Sequence, residues 1–270
     1  MNRINAAFAK SKETGHGALL PFICAGSPEL DALPKLLVAL QEAGASVVEV
    51  GFPYSDPVAD GPTIAAAMHT ALGEGITPTM IFEQVQSVRE QLEIGLVAMV
   101  SVSIVIAMGG PESFVSRAAK SGFDGFIFPD LPLGETDLYR RVCAEHETTM
   151  SLLISPTSPA DRAVEISKAS TGFAYLLARS GITGERSDVP DISERVRSIR
   201  AQSSTPIACG FGISTPEQVS QVIEHADGAI VGSALVRRLI EVHTNGEDYV
   251  IEAETAITEL ATGLISMDRF

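Results

Sequence analysis

The sequence predicts an α/β protein, a single domain over residues 1–270 folded as a (β/α)8, or TIM, barrel. Two observations carry that expectation: eight short apolar runs alternate with segments of helical spacing, and no Gly-, Ser- or Pro-rich linker divides them. Eight units in 270 residues leave about 34 residues for each, close to the ~30 that a β-strand, helix and return strand occupy. An open doubly wound sheet shares the alternation, and the strand count favours closure.

In chain order the expected strands are Ala18–Ala25, Ser46–Gly51, Ile94–Val102, Gly125–Pro129, Thr149–Ile154, Phe173–Ala178, Pro206–Cys209 and Gly228–Val231. Between them, apolar residues recur every three or four positions over Leu30–Ala43, Pro78–Leu92, Glu112–Lys120, Thr136–His146, Asp161–Ala169, Ile192–Arg200 and Glu217–Glu224, the spacing of helices buried along one face. The last strand leads into a helix at Leu235–Leu239. Five junctions, Ser27-Pro28, Thr77-Pro78, Gly110-Pro111, Ser158-Pro159 and Thr215-Pro216, put a capping residue or glycine before proline, as at a helix's first turn.

Composition narrows the class. With 45% hydrophobic and 20% charged residues the chain has the material for a core and is too apolar for disorder, while its apolar runs are shorter than the ~18 residues of a membrane span. Nineteen Lys and Arg against 34 Asp and Glu give a net charge of −15, which argues against nucleic acid or an anionic membrane as partner. Cys24, Cys143 and Cys209 are odd in number and widely spaced, so they read as reduced small hydrophobes. The first ten residues have no secretory pattern, and the expected compartment is the cytoplasm.

In a barrel of this kind the chemistry lies at the carboxyl ends of the strands. Two carboxylates fall there: Glu49, inside Val47-Val48-Glu49-Val50, and Asp60, about ten residues on in a Pro- and Gly-rich loop. A strand glutamate between valines faces either the interior or the helices, and burial in either place raises its pKa and suits it to proton transfer. Asp60-Gly61-Pro62 is also an ordinary turn, and Asp56 shares that ambiguity. Glycines after the last three strands, at Gly181 and Gly184, Gly210 and Gly212, and Gly232 with Ser233 opening a helix, form the pattern of a backbone cradle for an anion. The five lysines, Lys10, Lys12, Lys35, Lys120 and Lys168, lie away from strand ends, which argues against a Schiff base; the five histidines, His16, His69, His146, His225 and His243, are scattered, which argues against a zinc site. Proton transfer on a phosphorylated metabolite remains.

The segment Val48-Glu-Val-Gly-Phe-Pro-Tyr-Ser-Asp-Pro-Val-Ala-Asp-Gly-Pro-Thr-Ile64 resembles the signature of the tryptophan synthase alpha subunit. Pro21-Phe-Ile, Asp130-Leu-Pro, Gly172–Gly184, Gly210-Phe-Gly-Ile-Ser and Gly232-Ser-Ala match further blocks, so the resemblance spans essentially the whole chain. It implies a lyase that cleaves indole-3-glycerol phosphate to indole and glyceraldehyde 3-phosphate by retro-aldol chemistry. Glu49 would protonate the indole ring carbon and help remove the glycerol hydroxyl proton, and Asp60 would accept from the indole N–H. By the same match Phe22, Tyr175, Thr183 and Phe211 would surround the substrate, and Gly184, Gly212, Gly232 and Ser233 would cradle its phosphate. The resemblance further implies an alpha2–beta2 heterotetramer with a beta subunit that carries pyridoxal phosphate, no cofactor being expected on this chain. One departure is plain: where the family shows a Met-x-Tyr-x-Asn-like segment after the third strand, this chain reads Met99-Val-Ser-Val-Ser-Ile-Val-Ile106, which bears on coupling to the partner. A largely non-catalytic regulatory subunit and a stand-alone indole-releasing lyase are the alternatives. Ser180–Pro190 is the expected lid.

Overall fold

Eight parallel strands close on themselves in the order β1-β2-β3-β4-β5-β6-β7-β8, with β8 returning to pair with β1 in the computed structural model. The open-sheet alternative is thereby excluded. The structure describes residues 1–57, 60–178, 191–210 and 212–264. The strands are β1 (Ala18–Cys24), β2 (Val47–Gly51), β3 (Gly95–Met99), β4 (Gly125–Ile127), β5 (Thr149–Ile154), β6 (Ala174–Leu177), β7 (Ile207–Gly210) and β8 (Gly228–Val231), each inside or close to its expected run.

The helices differ more from expectation. Those foreseen are α2 (Ala32–Glu42), α4 (Pro78–Val88), α6 (Pro111–Ser121), α7 (Thr136–Glu145), α8 (Ala160–Ala169), α9 (Ser193–Arg200), α10 (Pro216–Ile223) and α11 (Ser233–Thr244). Four others were not: α1 (Arg3–Thr14), α3 (Pro62–Gly73), α5 (Val102–Ala107) and α12 (Tyr249–Ala261). The third strand was expected to run to Val102, but Ser101 caps α5 there, because its hydroxyl accepts from the Ser103 amide at 3.2 Å. Thr77 and Thr215 cap α4 and α10 in the same way, whereas Pro28 lies in the loop before α2 and Pro159 is itself the residue preceding α8.

Strand alternation sorts the core into an outer layer between sheet and helices and two inner clusters. In the lower interior Ala18, Leu20, Val47, Val97, Ile127, Phe173, Ala208 and Ile230 pack together, and Ile4 and Phe8 of α1 enter them from below. Those two side chains, one turn apart on α1, are the floor of the barrel. The floor explains why β3 and β4 begin with glycine: a Cβ on Gly95 would stand 2.8 Å from Ile4 Cγ1, and one on Gly125 2.7 Å from Ile4 Cδ1.

At this amino end the strand pairs share one device. Just ahead of each even strand stands a short polar residue, Ser46, Asp124, Thr171 or Asp227, whose side chain accepts from an early amide of the preceding odd strand: Leu19 at 3.3 Å, Leu96 at 2.9 Å, Met150 at 2.8 Å and Ile207 at 2.8 Å. Each polar residue's own amide donates back to the carbonyl of the same partner, at 2.7–2.9 Å. Backbone groups that the staggered parallel ladder would leave unpaired are thus satisfied reciprocally. Asp124 carries the heaviest load, since it also meets Arg89 at 3.2 Å and Arg3 of α1 at 3.1 Å while Asn2 donates to its carbonyl at 2.7 Å. Replacing Asp124 with Ala should therefore destabilise the fold by about 3 kcal/mol in urea denaturation, because Arg89 is left half-buried and unpaired. Ser46→Ala, which strands one neutral amide, should lose only about 1 kcal/mol; equal losses would refute this account of the rim.

Candidate active site

The upper interior is built from the carboxyl ends of the strands. On β2, Val48 and Val50 belong to the outer layer and Val47 to the inner one, so Glu49 points inward, which the sequence alone left open. It sits level with Phe22 of β1 and Val97 of β3. The residue is fully buried, and neither carboxyl oxygen has a hydrogen-bond partner among the described residues. Burial alone pushes its pKa from an ordinary 4.5 up to about 8. At neutral pH the side chain is therefore a carboxylic acid with a proton to give.

Tyr175 of β6 is inward by the same alternation, as it packs on the lower cluster while Ala174 and Leu176 face outward. Its phenol is pushed well above its usual pKa, by burial first and then by the nearby Glu49, Cys209 and Asp60. A Cβ on Gly210 would lie 2.7 Å from the Tyr175 hydroxyl, so the end of β7 must be glycine for the phenol to fit. Phe22 is buried, and a Cβ on Gly51 would lie 2.4 Å from its ring.

Asp60 ends the loop that leaves β2, and its amide donates to the Pro57 carbonyl at 3.0 Å. Partial burial raises its carboxyl pKa, and the Cys24 thiol is pushed up to about 12 by burial first and then by the Asp60 charge. The loop is rooted by Phe52, whose amide donates to the Met99 carbonyl at 2.9 Å and whose ring meets Phe82, Phe114 and Phe123 at centroid distances of 5.7–5.8 Å. Beside β1 and α3, Gly232 is the residue before α11 and Ser233 its buried first residue; the nearest atoms to a Cβ on Gly232 would be Phe22 Cβ and Ile64 Cδ1, at 3.8 and 3.9 Å. Free first-turn amides of α11 thus open beside Phe22. Gly212, with φ +89°, follows β7 in a backbone conformation that favours glycine. Thr183, Gly184 and Phe211, and the expected lid, lie outside the described residues.

The structure adds residues the sequence reading missed. Cys24, Ile64, Ala67, Met68 and Val236 form an apolar wall with Phe22, against which Tyr54 and Met99 also pack. Cys24 was legible as two positions after Phe22 on one strand face. Ile64 and Met68 were hidden because α3 went unrecognised, its N-terminal signal Gly61-Pro62 having been read as a turn. The lysines lie on α1, α2, α6 and α8, away from this mouth's strand ends, and no described helix is long and apolar enough to cross a membrane.

The tryptophan synthase alpha chain family model matches residues 8–264. The chain belongs to that family. A tryptophan synthase alpha chain of Prochlorococcus marinus (strain NATL1A) is 42% identical over 238 residues, covering 87% of this chain and 89% of its relative. That of Caldanaerobacter subterraneus subsp. tengcongensis is 39% identical over 248 residues, covering 92% and 94%. Among solved structures, the tryptophan synthase subunit alpha of Legionella pneumophila superposes with a TM-score of 0.88 at 32% identity over 98% of each chain, and a chain of Mycobacterium tuberculosis tryptophan synthase with 0.87 at 31% over 97% and 98%. The protein is accordingly a lyase of tryptophan biosynthesis that cleaves indole-3-glycerol phosphate.

The buried acid makes stability depend on pH. Below about 4.5 Glu49 carries its proton folded or unfolded; between there and about 8 only the unfolded chain releases it, so this residue's contribution falls as pH rises and levels off above 8. Glu49→Gln should thus melt on the order of 5 °C above the parent at pH 8, with the gain shrinking towards pH 5; a gain independent of pH would contradict it.

Proposed function

We propose that Glu49 and Asp60 divide the proton chemistry of indole-3-glycerol phosphate cleavage between them. The observation that carries the reading is the contrast in their settings: Glu49 is sealed in the barrel without a hydrogen-bond partner among the described residues, while Asp60 stands half-buried at the mouth. Protonated Glu49 gives its proton to the indole carbon that bears the glycerol chain, and positive charge develops on the ring. Asp60 accepts from the ring N–H and stabilises that charge. The resulting Glu49 carboxylate then takes the proton of the hydroxyl next to the ring as the carbon–carbon bond breaks, with the bond's electron pair returning to the ring and a carbonyl forming on the fragment. One proton leaves Glu49 and one returns, so the products are indole and glyceraldehyde 3-phosphate and the enzyme is unchanged.

In this reading Phe22, Tyr175, Thr183 and Phe211 surround the substrate, and Gly184, Gly212, Gly232 and Ser233 hold its phosphate through main-chain amides and the start of α11. A net charge of −15 gives no long-range attraction for an anionic substrate, so recognition is local. The partner we infer is a tryptophan synthase beta subunit in an alpha2–beta2 complex that receives the indole, with pyridoxal phosphate bound to the partner; the similar structures from M. tuberculosis are of tryptophan synthase as such. The cytoplasm is the compartment this implies.

The isolated chain should release indole from indole-3-glycerol phosphate, and Glu49→Gln should lower kcat by about 10³-fold with the far-UV circular dichroism intact. Asp60→Asn should lower it by about 10²-fold. Because the protonated form of Glu49 starts the reaction, kcat/KM should fall about ten-fold per pH unit above about pH 8, and it should fall again on the acid side as Asp60 takes up a proton. Near-normal turnover in Glu49→Gln would sink the assignment.

A further inference from the structure

The helix that opens the phosphate cradle has two jobs that need one fixed position. At its N-terminus α11 presents Gly232 and Ser233 to the mouth, and one turn on its Val236 packs with Phe22, Cys24, Ile64 and Met68 while Ile240 follows on the same face. Leu235 and Leu239, on the neighbouring side about 100° around the helix, are set in the outer core. Apolar contacts of this kind resist separation more than sliding along the helix axis or rolling about it, because they are non-directional. A displacement of α11 would move the anion-binding amides and the wall beside Phe22 together.

One polar contact between α11 and its neighbour is directional. Arg238, on the third face of α11, donates through Nε to Glu252 and through a terminal nitrogen to Glu259 at 3.1 Å, and both carboxylates belong to α12. The two acceptors are seven residues apart, two turns along α12, so a single planar guanidinium spans them and fixes both the height and the roll of one helix against the other. The inner pair is largely covered, with the Arg238 side chain 28% and the Glu252 side chain 20% exposed. The far end is tied as well: Tyr249, the first residue of α12, donates to Glu29 in the loop after β1 at 2.6 Å, and Lys35 of α2 donates to the same phenol at 3.3 Å. Through α12, then, α11 is referred back to the loop that follows the strand carrying Phe22.

We infer that Arg238, bridging Glu252 and Glu259, is a positioning residue for substrate phosphate: it holds the N-terminus of α11 where its amides meet the anion and Val236 where it backs Phe22. It touches no substrate. The inference rests on the assignment of the Gly232–Ser233 cradle.

The test is steady-state kinetics on the full chain, with inorganic phosphate as a competitive probe of the cradle. Arg238→Met should raise KM for indole-3-glycerol phosphate and the inhibition constant of inorganic phosphate in parallel, by about three- to ten-fold, with kcat within about two-fold of the parent. Glu252→Gln should have the same signature, and the double variant should be no worse than Arg238→Met alone, because both remove one interaction. Arg162→Met, which breaks a surface pair within α8 to Glu165, should change neither constant. Unchanged KM and phosphate inhibition in both Arg238→Met and Glu252→Gln would overturn the inference, as would effects that add in the double variant. Gly232→Ala separates the two layers of the proposal: if it too leaves phosphate inhibition unchanged the cradle assignment falls, and if it weakens inhibition while Arg238→Met does not, only the positioning role falls. Should Arg238→Met fail to fold, Glu252→Gln alone decides.

Discussion

Closing a parallel sheet into a barrel leaves early backbone groups of the odd strands without ladder partners, and much of this molecule answers that constraint. Ser46, Asp124, Thr171 and Asp227 each satisfy an amide of the preceding strand while returning their own. The amino rim is drawn together by this means, and α1 is pinned beneath it through Asn2 and Arg3. Ile4 and Phe8 then fill the lower interior. A barrel sealed from below leaves its other end for chemistry, and the described candidate residues gather there.

The sealed floor also sets the acidity of the site. Glu49 stands one layer above Val47 and level with Phe22 and Val97, so apolar side chains replace water around its carboxyl and keep it protonated to about pH 8. Asp60, at the mouth, is raised by the same cause but is only partly buried, so solvent still reaches its loop. In the proposed mechanism, two carboxyl groups of similar chemistry thus take different tasks from their depth.

At the other end of the substrate the problem is placement. Backbone amides at the start of α11 carry no specificity in themselves, and their value depends on where the helix lies. Apolar faces on two sides and the Arg238 bridge on the third supply that constraint, in the way that Phe52 and its three aromatic neighbours root the loop bearing Asp60. Both groups proposed to meet the substrate from the mouth are held by packing behind them.

Much of this was legible in the chain itself. Periodicity located all eight strands, since a buried parallel strand is a short apolar run, and the run of residues 48–64 with Glu49 and Asp60 in it identified the family. The N-terminal helix, α3, α5 and α12 escaped notice. α3 follows a Gly-Pro pair that also makes turns, and the apolar residues of α5 continue those of β3, so local pattern does not mark where strand ends and helix begins. Sequence by itself determined that Glu49 lies on a strand, that Asp60 follows it in a loop, and that glycines stand at the ends of the later strands. Only the tertiary structure decided that Glu49 points inward and loses its water, that Cys24, Ile64 and Val236 meet Phe22, and that Arg238 spans two carboxylates on α12, because orientation, solvent exclusion and pairing between distant residues arise only when the strands close.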